Sequence, residues 1–171
     1  MIQLMQSNST TEADGDQADC RFSFFVPGVP APKGSMRIVP VANKGGHVRV
    51  RIIPDRRSTQ WESAIKLAAA EAWDFHGPWD GPVFLHIEFV FPRPKCHFKK
   101  RRKTLMVLRD DAPRWVSKRP DLDKLLRCVL DGLTGVVIQD DCQVVGLSAV
   151  KRYADGRQKV GINVLAKLLN P

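Results

Sequence analysis

An α+β fold, a small mixed β-sheet carrying two main helices, is what this sequence predicts. Two segments repeat apolar residues at three- and four-residue steps, and several short runs are rich in Val, Ile and Phe. Gly and Pro pairs punctuate the intervals between them. The order of elements mixes strands with the two helices, which argues for α+β. With 171 residues and 43% hydrophobic content, a single domain with a real core is expected over residues 21–171.

The elements follow in order. Residues 1–20 are polar and acidic, with Glu12, Asp14, Asp16 and Asp19, and are expected to form a disordered tail. They lack the basic-then-apolar order of a signal peptide. Arg21 to Val26, rich in Phe and Val, predicts a strand stopped by Pro27-Gly28. Pro27 to Gly34 is a rigid, irregular connection leading to the basic residues Lys33 and Arg37. Met36 to Val41 and Val48 to Ile53 flank Gly45-Gly46 and predict a hairpin, with His47, Arg49 and Arg51 giving it one basic face. Ser58 to Asp74 predicts the first helix, with Ser58 as its N-cap and Trp61, Ala64, Ile65, Ala68, Ala69 and Ala72 as its stripe.

Val83 to Phe91 alternates as a strand and is closed by Pro92-Arg93-Pro94. Residues 95–118 show no period and predict a long basic loop containing Lys99, Lys100, Arg101, Arg102 and Lys103. The second helix is expected from about Asp121 to Leu133, burying Leu122, Leu125, Leu126, Val129, Leu130 and Leu133. Val144 to Arg152 and Val160 to Leu165 read as two closing strands, joined through Ala154-Asp155-Gly156.

Charge narrows the class of partner. The chain carries 27 Lys+Arg against 18 Asp+Glu, a formal net charge of +9 and a pI of about 9.7. Such an excess favours nucleic acid, a membrane surface or an acidic protein, or serves solubility alone. No stretch approaches the ~18 uninterrupted apolar residues of a spanning helix. Cys20, Cys96, Cys128 and Cys142 form no C-x-x-C pair, so no zinc site is expected, and reduced thiols in a cytosolic compartment fit best.

Against this basic background, two acidic pairs stand out. Asp121 and Asp123 open the second helix, after Lys118-Arg119-Pro120, and Asp140-Asp141 follow it. Convergence of the two pairs would require raised pKa values or a bound cation. An oxygen-rich shell of this kind suits Mg²⁺ or Mn²⁺ rather than zinc. Each piece also has a plainer use: Asp121 as a helix cap, Asp140-Asp141 as an exposed turn, and Arg127 as the i,i+4 ion-pair partner of Asp123. Trp115 either packs in the core or stacks on an unpaired base.

Lys118-Arg119-Pro120-Asp121-Leu122-Asp123-Lys124-Leu125, Val129-Leu130-Asp131-Gly132-Leu133, Val137-Ile138-Gln139-Asp140-Asp141-Cys142-Gln143-Val144-Val145 and Lys151-Arg152 together resemble the RusA family of Holliday junction resolvases. The opening Pro27 to Gly34 also looks like that family's N-terminal loop. The resemblance implies a homodimeric, Mg²⁺-dependent endonuclease that nicks opposing strands of a four-way DNA junction. It puts the essential aspartates at Asp121, Asp123 and Asp141; we expect these to bind the metal, with Asp140 supporting the site or its metal shell. Arg127 stands where the family usually has lysine, and Lys124 where it usually has asparagine. Arginine keeps the charge but does not readily release a proton, so it suits phosphate clamping better than acid/base work. Lys33, Arg37, Arg49, Arg51, residues 99–103, Lys118, Arg119 and Lys124 are the expected DNA contacts. The setting implied is the cytoplasm of a bacterial or phage-infected cell. The rivals are a broader flap or fork nuclease and a non-catalytic nucleic-acid-binding protein.

Overall fold

A computed structural model describes residues 20–34, 37–42, 48–53, 56–74, 76–101, 105–156 and 158–169, with backbone only at 37–42 and 48–53. Residues 1–19 of the acidic tail, Arg102 and Lys103 lie outside the described residues, as do the side chains of Arg37, Arg49 and Arg51. The elements run β1 (Arg21–Pro27), β2 (Arg37–Ala42), β3 (Val48–Ile53), α1 (Arg56–Ala72), β4 (Val83–Phe91), β5 (Phe98–Lys100), β6 (Met106–Leu108), α2 (Leu122–Leu133), β7 (Val144–Tyr153) and β8 (Gly161–Leu168).

Four of the strands form one sheet in the order β1-β8-β4-β7, parallel only between β4 and β7. The two closing strands are therefore not neighbours, because β4 lies between them. Alternation on β4 explains its central place. Val83, Leu85, Ile87, Phe89 and Phe91 point to one face and are buried. Ile162, Val164 and Ala166 of β8 and Phe24 and Val26 of β1 extend that face, with Phe24, Val164 and Ile87 in one cross-strand row. Trp61, Ile65 and Ala69 of α1 and Leu125, Cys128, Val129 and Leu133 of α2 close over it. A sheet with two helices on one face is the α+β architecture that the patterning predicts.

Three expectations need correction. Helix α1 starts at Arg56, so Ser58 is not its cap; Ser58 is buried inside the first turn, where its carbonyl accepts from Cys128 Sγ at 3.7 Å. The helix also stops at Ala72 rather than Asp74, which lies beyond its end with φ of 50°. Residues 95–118 are not a featureless loop. A 3₁₀ turn at Lys95–His97 leads into β5, which pairs antiparallel with β6, and Trp115 forms a bridge to Arg152. Three-residue strands are too short to leave a period in the sequence, and their partners are set by tertiary contacts.

The helices meet closely at Gly132. A Cβ there would lie 2.8 Å from Ile65 Cγ2 and 3.2 Å from the Glu62 carbonyl oxygen. On an exposed helix, alanine in place of glycine gains about 1 kcal/mol. At this crossing we expect the opposite sign, a loss of about 1–3 kcal/mol for Gly132→Ala from overpacking. Urea unfolding of the two proteins checks it; a variant as stable as the parent would show that the helices can separate without cost.

Candidate active site

Helix α2 presents the first acidic pair at its N-terminus. Asp121 is extended (φ −69°, ψ 140°) and makes no side-chain cap hydrogen bond. Its carboxylate instead lies 3.2 Å from the Lys124 ammonium, both groups half-exposed. Simple capping is therefore not what Asp121 does. Asp123 occupies the first helical turn, exposed, near the positive end of the helix dipole. Arg127 follows one turn later and is also exposed. Among the described residues these two make no ion pair, so the expected i,i+4 bridge is not formed.

Two lysines hold this corner in place. Lys151 of β7 donates to the carbonyl oxygens of Lys118 (3.0 Å) and Pro120 (2.7 Å), gripping the turn before Asp121. The Lys33 backbone N–H donates to the Lys124 carbonyl at 3.0 Å, tying the Pro-rich loop to the first turn of α2. The Lys33 ammonium bonds Asp131 and lies 3.7 Å from Glu62. Its pKa is raised chiefly by the hydrogen bond to Asp131. Lys33 thus braces the loop against α1 and α2.

The second acidic pair has a different local logic. Val137 and Ile138 are buried, while Asp140 and Asp141 stand exposed on the 3₁₀ turn Asp141–Gln143. Asp140 accepts from the Cys142 N–H at 2.9 Å, and Gln143 Oε1 accepts from the backbone N–H groups of Gln139 (2.6 Å) and Asp140 (3.1 Å). This reciprocal capping box lowers the Asp140 pKa, first through the Cys142 hydrogen bonds. Gln143 Nε2 donates to the carbonyl oxygens of Trp79 and Gly81, both at 3.0 Å, which pins the turn to the segment entering β4. Asp140 builds the turn and Asp141 is left at its surface.

The two pairs sit at opposite ends of α2. Its 12 residues span roughly 18 Å at 1.5 Å per residue. Strand β7 gives a second ruler: Val144 pairs with Val83, whereas Lys151 reaches the Asp121 turn, and the seven steps between them cover about 23 Å. Carboxylates separated by on the order of 20 Å cannot share an ion whose ligand distances are about 2.0–2.6 Å. Accordingly, among the described residues no three His, Cys, Asp or Glu side chains are gathered to hold a metal. The donors fit a hard cation by chemistry, since all are exposed carboxylates, but one chain does not bring them together.

Arg114 and Trp115 lie near the same corner, since Val116 N–H donates to the carbonyl of Lys151. Trp115 is 52% exposed, so it is not a core residue, and the Arg114 guanidinium stacks on its ring at 4.7 Å from the centroid. Lys118 and Arg119 are exposed beside it. On the β5–β6 ribbon, Lys100 and Arg101 are exposed, and Lys99 pairs with exposed Asp110 at 2.7 Å.

Sequence reasoning missed a buried ionic group nearby. Arg152, 6% exposed, bonds Glu88 through two nitrogens and also Gln158, while Asn163 donates to Glu88 at 3.1 Å. A single Glu in an apolar strand is its only trace in the sequence. Glu88, Arg152 and Gln158 line a cavity of about 410 Å³ together with Arg93 and Arg114.

A family model described as "Endodeoxyribonuclease RusA" matches residues 27–164. The chain belongs to the RusA endodeoxyribonuclease family. It is thus an endodeoxyribonuclease, a phosphodiester-hydrolysing enzyme of a family that acts on Holliday junctions. No curated protein matches the chain. No described helix is long and apolar enough to cross a membrane.

The Glu88–Arg152 pair yields an expectation about stability. The Arg152 hydrogen bond holds the Glu88 carboxyl below its ordinary 4.5. A depressed pKa stabilises the fold fully above 4.5, and that contribution drains away as pH falls from there through the lower folded value. Glu88→Gln leaves a nearly buried guanidinium without its anion, and should cost on the order of 3 kcal/mol at pH 7. Denaturant unfolding at pH 7 and pH 3 should show the gap between the two proteins narrowing in acid.

Proposed function

We propose that this chain works as a homodimer that resolves four-way DNA junctions by paired symmetric nicks, with Mg²⁺ or Mn²⁺. One observation carries the reading: the acidic residues of a family nuclease stand at both ends of α2, about 18 Å apart by helix rise, so only a second copy can complete a shared site. Two such sites related by a twofold axis match a substrate whose resolution needs two symmetry-related cuts.

In this reading Asp121 and Asp123 of one chain and Asp141 of the partner subunit would hold the cation, and Asp140 supports the site by building the turn that presents Asp141. A divalent cation bound there would supply water activation and neutralise charge at the phosphoryl group. The chain's own groups do the rest. Arg127, unpaired among the described residues and one turn from Asp123, clamps the scissile phosphate and stabilises the charge that develops on it. Lys124 neutralises Asp121 in the free protein, which keeps the acidic corner from repelling DNA before a cation arrives. Lys118, Arg119, residues 99–103 and the β2–β3 hairpin with Arg37, Arg49 and Arg51 hold the backbone. The Arg114–Trp115 stack offers a platform for a base unstacked at the branch. The work takes place in the cytoplasm of a bacterial or phage-infected cell. A broader flap or fork specificity is the second reading, favoured by that exposed stack.

Mixed subunits provide the test. Asp123→Asn and Asp141→Asn homodimers should each fail to cut an immobile four-way junction. A mixture in which the subunits exchange should regain a single competent site per dimer and nick one strand. A mixture as inactive as its parents would show that the carboxylates do not act across subunits. Cleavage by Asp123→Asn alone would remove the aspartates from the chemistry. Separately, Arg127→Ala should lower the single-turnover rate about 10²–10³-fold, as loss of one preorganised charge-stabilising donor does. Comparable rates on junction, flap and linear duplex would leave the branched specificity without support.

A further inference from the structure

Besides the acidic corners, the fold holds a polar group that the nuclease chemistry leaves unused. On β4, Val83, Leu85, Ile87 and Phe89 face the helices, so Glu88 points to the opposite side of the sheet. Asn163 of β8 is its cross-strand neighbour and donates to it, and Arg152 of β7 binds it through two nitrogens. Replacing such a buried ion pair with apolar residues is often neutral or stabilising, so stability alone does not account for it. It lies on the wall of an open space, the cavity of about 410 Å³ that Arg93, Arg114 and Gln158 complete. That volume falls in the range of sites for small organic groups, roughly 300–1,000 Å³.

Three donor groups along this cavity are unanswered. Arg152 is fully engaged, with Nε and Nη2 on Glu88 and Nη1 on Gln158 Oε1, which leaves the Gln158 Nε2 amide without an acceptor among the described residues. Arg93 is held by donating from Nε to the Ala154 carbonyl (2.6 Å) and from Nη1 to the Pro113 carbonyl (2.9 Å). Its Nη2 meets no acceptor among the described residues. The Arg114 guanidinium makes no hydrogen bond among them either, and rests on the Trp115 ring. Carboxylates of Glu88 and Asp155 line the same space. A phosphate would meet those negative charges, whereas a neutral planar ring with both donors and acceptors suits the mixed lining. The rim also leads to the acidic corner. Trp115 bridges to Arg152, and the chain continues from it through Lys118 to Asp121, whose turn Lys151 holds.

We propose that, given the junction reading above on which this inference rests, the cavity receives a nucleobase extruded from the stack at the branch point. Extrusion costs least where pairing and stacking are already weakened, and a branch point is such a place. Arg114, Arg93 Nη2 and Gln158 Nε2 donate to carbonyl and ring-nitrogen acceptors on the base, and Trp115 stacks on the next base in the strand. The Glu88–Arg152–Asn163 network is a floor already satisfied before the base arrives, so it does not reorganise on binding. A base held here fixes its strand beside the Asp121 corner. It also distinguishes a branch from linear duplex, in which every base stays stacked and paired.

Binding measured in EDTA, so that no strand is cut, tests this. 2-Aminopurine, whose fluorescence is quenched by stacking, is placed in turn at each nucleotide flanking the branch of an immobile four-way junction. At one position the parent protein should raise the emission, and an abasic residue there should weaken binding about 10-fold, as loss of one or two hydrogen bonds does. Gln158→Met keeps the side-chain length and removes the amide. It should lose the emission rise, bind the intact junction about 5-fold more weakly, and bind the abasic junction as the parent does. Arg114→Gln, at an exposed side chain, should also lose the rise, and it keeps the test open if Gln158→Met does not fold by circular dichroism. Emission that stays dark at every position, or a rise that survives in either folded variant, overturns the cavity and leaves junction cleavage untouched. Weakening by a methylphosphonate linkage but not by an abasic residue makes the cavity a phosphate site and overturns the base. A parent protein that binds linear duplex as tightly as the junction removes the junction reading, and this inference with it.

Discussion

A rigid helix longer than any metal–ligand bond governs this protein. Helix α2 holds Asp121 and Asp123 at one end and delivers the chain to Asp140 and Asp141 at the other, and no side-chain rotation spans its length. The separation also removes a difficulty, because four aspartates crowded together without a cation would repel one another. Each end is instead locally at ease: Asp121 has Lys124, and Asp140 has the backbone of its own turn. Both acidic pairs can therefore stand exposed in the unliganded chain.

The rest of the fold keeps that spacer fixed. Gly132 lets α1 and α2 approach until Ile65 fills the place of a side chain, and Lys33 joins Glu62 of α1 to Asp131 of α2 across the same seam. Lys151 then fastens the start of α2 to the end of β7, while Gln143 fastens the Asp140 turn to the strand entry at Trp79 and Gly81. Helix and strand run as two antiparallel rods pinned at both ends. A site assembled from the ends of such rods inherits their precision, which phosphoryl chemistry needs.

Much of this was legible in the residues. The stripes Trp61–Ile65–Ala69 and Leu125–Val129–Leu133 place both helices, and the alternation of Val83 to Phe91 places the central strand, because burial on one face imposes those periods. Other features had no local signature. Strands β5 and β6 are three residues each, and Ser58 looks like a cap by composition while lying inside the helix. Lys33 reads as a phosphate contact, yet its ammonium turns to Asp131, far along the chain. Arg152 is buried against Glu88, a partner 64 residues away that no local pattern indicates.

Periodicity was enough to establish two helices and a mixed sheet, charge pointed to an anionic partner, and the motifs around the aspartates carried the resemblance to the family. Those properties depend on residue type and short-range order, which a linear string records. Which aspartates are neighbours depends on the direction in which α2 and β7 run and on what anchors their ends. That is a matter of three-dimensional packing, and it sets the two acidic pairs at opposite ends of α2 rather than in one cluster.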